Sequence, residues 1–107
     1  MSKAKKHAHL LKWLTQTKPQ TARAVLKVVD KGVIDAISEC ALNILRGNLT
    51  LTQGQKQKLC KHKRALRILA NKKSSLNTKR RALQQKGGFL GLLLGPVLKT
   101  VAHLLFN

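Results

Sequence analysis

One stretch of this chain, residues 52–88, is rich in positive charge and contains no acidic residue. It reads TQGQKQKLCKHKRALRILANKKSSLNTKRRALQQKGG and holds 12 of the 22 lysines and arginines. Such a segment cannot neutralise itself through internal ion pairs, so a compact fold must form against its self-repulsion. We therefore expect this segment to meet a polyanion from outside the chain.

The composition of the whole chain favours the same interpretation. Its 107 residues carry a formal net charge of +19 with only three acidic side chains. A chain of this length forms one small domain at most. The expected partner is nucleic acid, double-stranded DNA or RNA, and an anionic membrane surface is the second candidate. Two cysteines and a basic N-terminus with no long apolar run after it predict a reduced, intracellular setting.

The apolar residues recur at spacings of three and four, which is typical of amphipathic helices. Hydrophobic residues make up 43% of the chain but aromatic residues only 3%, so the packing must be aliphatic. We predict an all-α fold, a small bundle of short amphipathic helices with a basic helical surface and an apolar C-terminal helix. The expected parts are a frayed basic arm (residues 1–6), a helical basic domain (7–86), and a Gly-Gly junction with a hydrophobic tail (87–107).

Three helices are predicted before the basic segment, over residues 7–16, 20–29 and 31–46. Pro19 suits the first turn of the second helix, and Asp30 suits the N-cap of the third. Gly47 and Asn48 are typical of a helix C-terminus. The third helix carries the least charge of all, and we expect it to form the centre of the fold.

The basic segment itself is predicted to form two helices. Thr52 and Gln55 match a capping box, which starts a fourth helix that runs to about Lys73. Its narrow apolar stripe consists of Leu59, Cys60, Leu66, Ile68 and Leu69. A fifth helix is predicted over residues 76–86, closed by Gly87.

The tail after the glycines is strongly apolar. Gly95 and Pro96 interrupt it, so a helix is expected only after them. The tail could dock on the domain, form an oligomer, or disrupt a membrane. The residues expected to make those contacts are Phe89, Leu90, Leu92, Leu93, Leu94, Val97, Leu98, Val101, Leu104, Leu105 and Phe106. Trp13 could lie at a membrane interface, but core packing is the preferred interpretation.

Lysines and arginines on the basic helices can neutralise phosphates without reading base sequence. No Phe or Tyr lies among these residues to stack on bases, and no base-recognition pattern is visible. We expect Lys3, Lys5 and Lys6 to form an auxiliary arm. The predicted phosphate contacts are Lys56, Lys58, Lys61, Lys63, Arg64, Arg67, Lys72, Lys73, Lys79, Arg80 and Arg81.

Other chemistries find little support in the residues. Cys60 and His62, even with the distant Cys40 and either His7 or His9, lack the paired spacing of a structural zinc site, so buried thiols and a solvated histidine are expected. No metal site and no cofactor is predicted.

Catalysis has no better basis. Asp35 and Glu39 lie one helical turn apart, but Lys31 one turn upstream explains them as surface ion pairs. Ser38 has no base partner, and the chain contains no glycine-rich phosphate loop. We do not expect an enzyme.

Three motifs, ALNILRGN, LTQGQKQKL and QKGGFLGLLLGP, lie in a region from about Leu10 to Leu105 that resembles a known group of proteins. These are the small basic proteins encoded by adintoviruses and Maverick/Polinton-type elements, which are large DNA elements of animals with adenovirus-like virion genes. The layout is also similar to that of the adenovirus minor core protein precursor. The resemblance implies a DNA-condensing body, a di-glycine and an apolar tail, located in the virion core and the host nucleus.

The resemblance also implies a cleavage site. The stretch that contains Gln85, Gly87, Gly88 and Phe89 resembles an adenovirus-type maturation protease site, where cleavage follows Gly88. Glycines allow an extended backbone to enter a narrow cleft. Gln85 departs from the usual Met, Leu or Ile, and the alternative is that Gly87 is a helix C-cap.

These observations predict a viral core-type protein that binds and condenses DNA without sequence preference. The alternative is a membrane-active protein whose tail inserts while its basic surface contacts anionic lipid. A third possibility is a helical assembly protein that forms homo-oligomers through the tail.

Overall fold

The computed structural model describes residues 2–85 and 88–106, with side chains as far as Val101. These residues form eight α-helices and no strand, which confirms the predicted all-α fold. The helices are α1 (Ser2–Lys6), α2 (Ala8–Gln16), α3 (Pro19–Leu26), α4 (Lys31–Leu45), α5 (Gln53–Cys60), α6 (Lys63–Ala70), α7 (Leu76–Ala82) and α8 (Phe89–Phe106).

Helix α4 is the centre of the bundle, as its low charge predicts. It packs against α1, α6, α7 and α8. Apolar residues at spacings of three and four bury one broad face of the helix. The buried residues are Val33, Ile34, Ala36, Ile37, Cys40, Ala41 and Ile44.

The end of α4 confirms the predicted helix stop. Gly47 has a φ of 73°, a left-handed conformation in which a Cβ would be strained. The Asn48 N–H donates to the Asn43 carbonyl at 3.0 Å, and the Gly47 N–H donates to the Ile44 carbonyl at 3.1 Å. These two bonds form a Schellman motif, which satisfies carbonyls that the helix leaves without partners.

Helix α5 begins with the predicted capping box. The Gln55 N–H donates to Thr52 Oγ1 at 3.1 Å, and the Thr52 N–H donates to Gln55 Oε1 at 2.9 Å. The prediction of one helix as far as Lys73 is wrong, because the chain turns at Lys61 and His62.

The break between α5 and α6 has a packing reason. Helix α5 packs on α8, whereas α6 packs on α4. Leu59 is buried on α5, while Leu66 and Leu69 are buried on α6. A single straight helix could not direct its apolar residues at both partners. The break also leaves Cys60 exposed, so the expectation that both thiols are buried is wrong for this residue.

The N-terminal elements differ from expectation in three places. Helix α3 ends at Leu26 and not at Val29. Residues 2–6 are not a frayed arm but helix α1, whose Ala4 is fully buried and which packs on α4. Trp13 is 42% exposed, so its predicted place in the core is wrong. Helix α2 turns Leu11 and Leu14 inward, and a residue adjacent to Leu14 on a helix lies about 100° away from it.

Helix α7 is shorter than predicted. Ser75 caps its start, because Ser75 Oγ accepts the Thr78 N–H at 3.1 Å. The helix ends at Ala82, and Gln85 is already non-helical. The predicted cap at Gly87 lies outside the described residues.

Helix α8 is continuous through Pro96, so the predicted break there is wrong. A proline in a helix removes one hydrogen bond, and its ring crowds the residue before it. Gly95 has no Cβ for that ring to meet. The cost is offset by burial of one face of α8 against α2, α4 and α5. The buried apolar residues are Phe89, Leu90, Leu93, Leu94, Val97 and Val101.

The two exposed glycines of α8 provide a matched pair for testing this account. Apart from its chain neighbours and the nearby backbone of α8, a Cβ added at Gly91 or Gly95 meets no atom within 4 Å. Gly91→Ala should therefore raise the free energy of unfolding by about 0.5–1 kcal/mol. Gly95→Ala should lack this gain, because its Cβ would crowd Pro96. Urea unfolding of both variants measures the difference, and equal gains would contradict the role given to Gly95.

Candidate nucleic-acid interface

Helices α5 and α6 carry a surface of exposed positive charge. Their apolar side chains face the interior, with Leu59, Ala65, Leu66 and Leu69 buried. The charged residues between them are left exposed on the outside of the bundle. We call this set the α5–α6 basic surface, and it consists of Lys56, Lys58, Lys61, Lys63, Arg64 and Arg67.

The predicted contacts after α6 fall into different environments. Lys72, Lys73 and Arg81 are exposed. Arg80 is half-buried, and its Nη1 donates to the Leu26 carbonyl at 3.3 Å. Lys79 is only 8% exposed. Nine of the eleven predicted contacts are therefore exposed.

Lys79 lies at a cavity of about 370 Å³ that also contains acidic side chains. Asp35 and Glu39 of α4 line the cavity, together with Ser38 and the lysines Lys3, Lys31 and Lys72. We call this set the α4 charge cluster, and it consists of Asp35, Glu39, Lys3, Lys31, Lys72 and Lys79. Desolvation lowers the pKa of Lys79, while the charge of Asp35 opposes this shift. The basic segment is therefore partly neutralised here by carboxylates from another element.

The ion pair predicted on α4 is confirmed. Lys31 Nζ lies 2.9 Å from Asp35 Oδ2. The side chain of Lys31 is 74% exposed and that of Asp35 is 27% exposed. The three lysines of the predicted arm, Lys3, Lys5 and Lys6, are exposed on α1.

The residues considered for zinc lie on separate elements. Cys40 is buried in α4, and burial raises its pKa to about 12, so its thiol stays protonated at neutral pH. His62 is half-buried, and its ring centroid lies 5.0 Å from that of Phe89. Within residues 2–85 and 88–101, no three His, Cys, Asp or Glu side chains form a group that could hold a metal ion.

The residues of the possible cleavage site differ in accessibility. Gln85 and Gly88 are exposed, and Gly88 has a φ of 77°. Phe89 is 1% exposed, and the Gly88 carbonyl accepts the Leu92 N–H at 3.1 Å. Lys86 and Gly87 lie outside the described residues. A protease that needs an extended substrate would have to open the first turn of α8.

The predicted contact residues of the tail are largely part of the core. Six of them are buried in the bundle, as described for α8, and Leu92 and Leu98 pack partly against it. The side chains of Leu104, Leu105 and Phe106 lie outside the described set. Among the residues that the structure describes, no helix is both long and apolar enough to span a membrane.

Sequence reasoning missed Lys27, which lies beside Arg80 and Arg81 at a cavity between α3 and α7. The bond from Arg80 to Leu26 joins residues 54 positions apart. No local pattern could have signalled this proximity.

The fold and the exposed charge define a small, all-helical, strongly basic protein. No protein-family model matches the chain, and no curated protein or solved structure shows significant similarity to it.

Proposed function

We propose that this protein binds double-stranded DNA, or another nucleic acid, without sequence preference and condenses it. The observation that supports the proposal is the α5–α6 basic surface, six exposed cations in a segment that contains no acidic residue. Lysines and arginines on helices neutralise phosphates and release their counterions. Such contacts position a protein on a duplex but carry no base information.

Proteins that bind single strands usually combine positive charge with aromatic side chains that stack on bases. Few aromatic side chains are available for such stacking at the α5–α6 basic surface. His62 packs on the buried Phe89, and Trp13 lies on α2. Base stacking on side chains such as these supplies much of the affinity of single-strand binders. Backbone neutralisation of a duplex is therefore the better match for the residues present.

A virion-core setting is part of the proposal and rests on the resemblance of the three motifs. In that setting the protein would occupy the virion core and the host nucleus, and a maturation protease could cleave after Gly88. The role proposed is binding rather than catalysis.

The membrane-active alternative would require a rearrangement that DNA binding does not. The apolar side chains that would insert into lipid include Leu93, Leu94 and Val97, which are fully buried in the bundle. Helix α8 would have to leave the core before inserting. The α5–α6 basic surface, by contrast, is already exposed.

Neutralising three cations of this surface tests the proposal. The triple variant Lys61→Gln, Arg64→Gln, Arg67→Gln should bind unrelated DNA sequences more weakly by the same factor. The slope of log K against log salt should flatten by about three units. Electrophoretic mobility shift across a salt series, on two DNA duplexes and one RNA duplex, measures both quantities.

The matched control removes the same charge from exposed positions outside the basic segment, as Lys12→Gln, Lys18→Gln, Arg46→Gln. It should retain most of the affinity and of the salt slope. An equal loss in both triple variants would refute the assignment to the α5–α6 basic surface. Unequal losses between DNA sequences would refute binding without sequence preference.

A further inference from the structure

A second basic feature, which shares no residue with the α5–α6 basic surface, lies where the C-terminus of α3 meets α7. It is a cavity of about 350 Å³ lined by Lys27, Asn77, Arg80, Arg81 and Gln84. Three of these side chains are cationic, the other two are amides, and none is acidic. Asp30, the nearest acid along the chain, is not among them. We call this cavity the α3–α7 notch.

Two hydrogen bonds between the elements fix the walls of the notch. Arg80 Nη1 donates to the Leu26 carbonyl at 3.3 Å, and Gln84 Nε2 donates to the Arg23 carbonyl at 3.1 Å. Both acceptors belong to α3. Of the two donors, Arg80 lies in α7 and Gln84 lies two residues after its end. The side chains of Arg80 and Gln84 are therefore held in place before any ligand arrives, which reduces the entropy cost of binding.

Capping of α3 explains only part of this arrangement. A cation near the last carbonyls of a helix is favourable, and Arg80 meets that description. The bond to Leu26 uses only one of the several N–H donors of a guanidinium. Capping does not explain why the exposed Lys27 and Arg81 line the same cavity as Arg80.

We propose that the α3–α7 notch binds a single phosphate group, a phosphodiester of the nucleic-acid backbone. Arginine recognises phosphate through paired, charge-assisted hydrogen bonds, and the two amides can donate further bonds. The source of the phosphate rests on the proposed function, but the phosphate chemistry of the notch does not. A phosphate held here would engage a side of the bundle formed by α3 and α7, in addition to the α5–α6 basic surface.

Inorganic phosphate is the probe for the notch itself, because it presents the single phosphate group that the proposal requires. In the full chain, NMR should show saturable shifts of the Asn77 and Gln84 side-chain amides and of the Arg80 Nε–H. The variant Lys27→Gln, Arg81→Gln leaves both anchoring hydrogen bonds in place and should weaken this binding about tenfold or more. The charge-matched control Lys12→Gln, Lys18→Gln should weaken it about twofold or less.

Shifts that never saturate, or equal losses in the two double variants, would overturn the notch as a site. The same variants are then titrated with a short DNA duplex at fixed salt, where the notch variant should again lose more affinity than the control. If the wild-type chain binds inorganic phosphate in the notch but binds neither DNA nor RNA, the proposed function fails and so does the phosphodiester as ligand. If it binds DNA while both double variants lose affinity equally, only the notch fails.

Discussion

A chain that ends at Gly88 is expected to lose its cooperative fold. Five side chains of α8 are exposed by 1% or less, namely Phe89, Leu93, Leu94, Val97 and Val101. Burial of side chains of this size stabilises a protein by roughly 1.5–3 kcal/mol each, or roughly 8–15 kcal/mol for five. This sum is comparable with the whole stability of a small domain, about 5–15 kcal/mol. Thermal unfolding followed by circular dichroism should show no cooperative transition.

Point variants within α8 give a graded version of the same test. Leu94 is fully buried, whereas Leu92 of the same helix is half-buried. Leu94→Ala should lower the free energy of unfolding by about 2–5 kcal/mol, and Leu92→Ala should cost clearly less. A synthetic peptide of residues 89–106 should restore a cooperative transition to the truncated chain. A truncated chain that unfolds cooperatively by itself would contradict the assignment of α8 to the core.

The result would also decide how a cleavage after Gly88 acts. If α8 is part of the core, a cut at that bond leaves two segments that stay associated through the buried face of α8. Release of a free tail would then need a further event that opens the bundle. Size-exclusion chromatography of a chain cut at this bond would distinguish the two outcomes.

Local signals in the sequence predicted the parts of the fold that depend on neighbouring residues. The capping box at Thr52, the end of α4 at Gly47 and the apolar face of α4 are set by short-range chemistry. Their residues lie within one or two turns of each other. The sequence therefore contains all the information needed to locate them.

The features that sequence reasoning missed depend on contacts between distant elements. The turn at His62 separates residues that face α8 from residues that face α4, and neither partner is visible from the segment itself. Helix α8 continues through Pro96 because the burial of its other residues outweighs the lost hydrogen bond. A local rule correctly identifies the cost of this proline but not what offsets it.

The candidate site divides in the same way. The exposed cations of α5 and α6 follow from an amphipathic pattern with a narrow apolar stripe. The burial of Lys79 had a weak local signal, because this residue lies about one turn before the buried Ala82 and Leu83. No local signal indicated that the carboxylates of α4 lie near Lys79, and none indicated that Lys27 lies near Arg80.

Asp35→Asn is expected to destabilise the protein more than loss of its ion pair with Lys31 would suggest. An exposed pair contributes less than about 1 kcal/mol, whereas breaking a buried one costs about 3–5 kcal/mol. Asp35 is 27% exposed and shares the α4 charge cluster with four lysines. We expect a loss of about 2 kcal/mol, because the lysines remain and repel one another. Lys31→Met, which removes the exposed partner, should cost less than 1 kcal/mol.

Lys79→Met should have the opposite effect to Asp35→Asn and raise the free energy of unfolding. Burial lowers the pKa of Lys79 despite the attraction of Asp35, so desolvation outweighs the ion-pair energy at this position. Methionine keeps much of the volume and removes the charge. Chemical unfolding of the wild-type chain and the three single variants compares these effects directly.

The dependence of stability on pH and salt distinguishes an effect of charge in the α4 charge cluster from an effect of packing. Because the folded pKa of Lys79 lies below its usual 10.5, the unfolded chain binds more protons between these two values. The stability of the wild-type chain relative to Lys79→Met should therefore rise as the pH increases through that window. Comparing the two proteins cancels the opposite effect of Cys40, whose raised pKa lowers stability above about pH 9.

Added salt should reduce the deficit of Asp35→Asn, since the Debye length falls from about 10 Å at 0.1 M to about 3 Å at 1 M. A deficit that does not change with salt would show that Asp35 acts through packing rather than charge. If the deficit does shrink, the Asp35 carboxylate relieves the repulsion among the four lysines of the α4 charge cluster as the fold forms. The α5–α6 basic surface would then remain free to bind a polyanion, because two of the three acids of the chain lie in the α4 charge cluster, which contains none of the six cations of that surface.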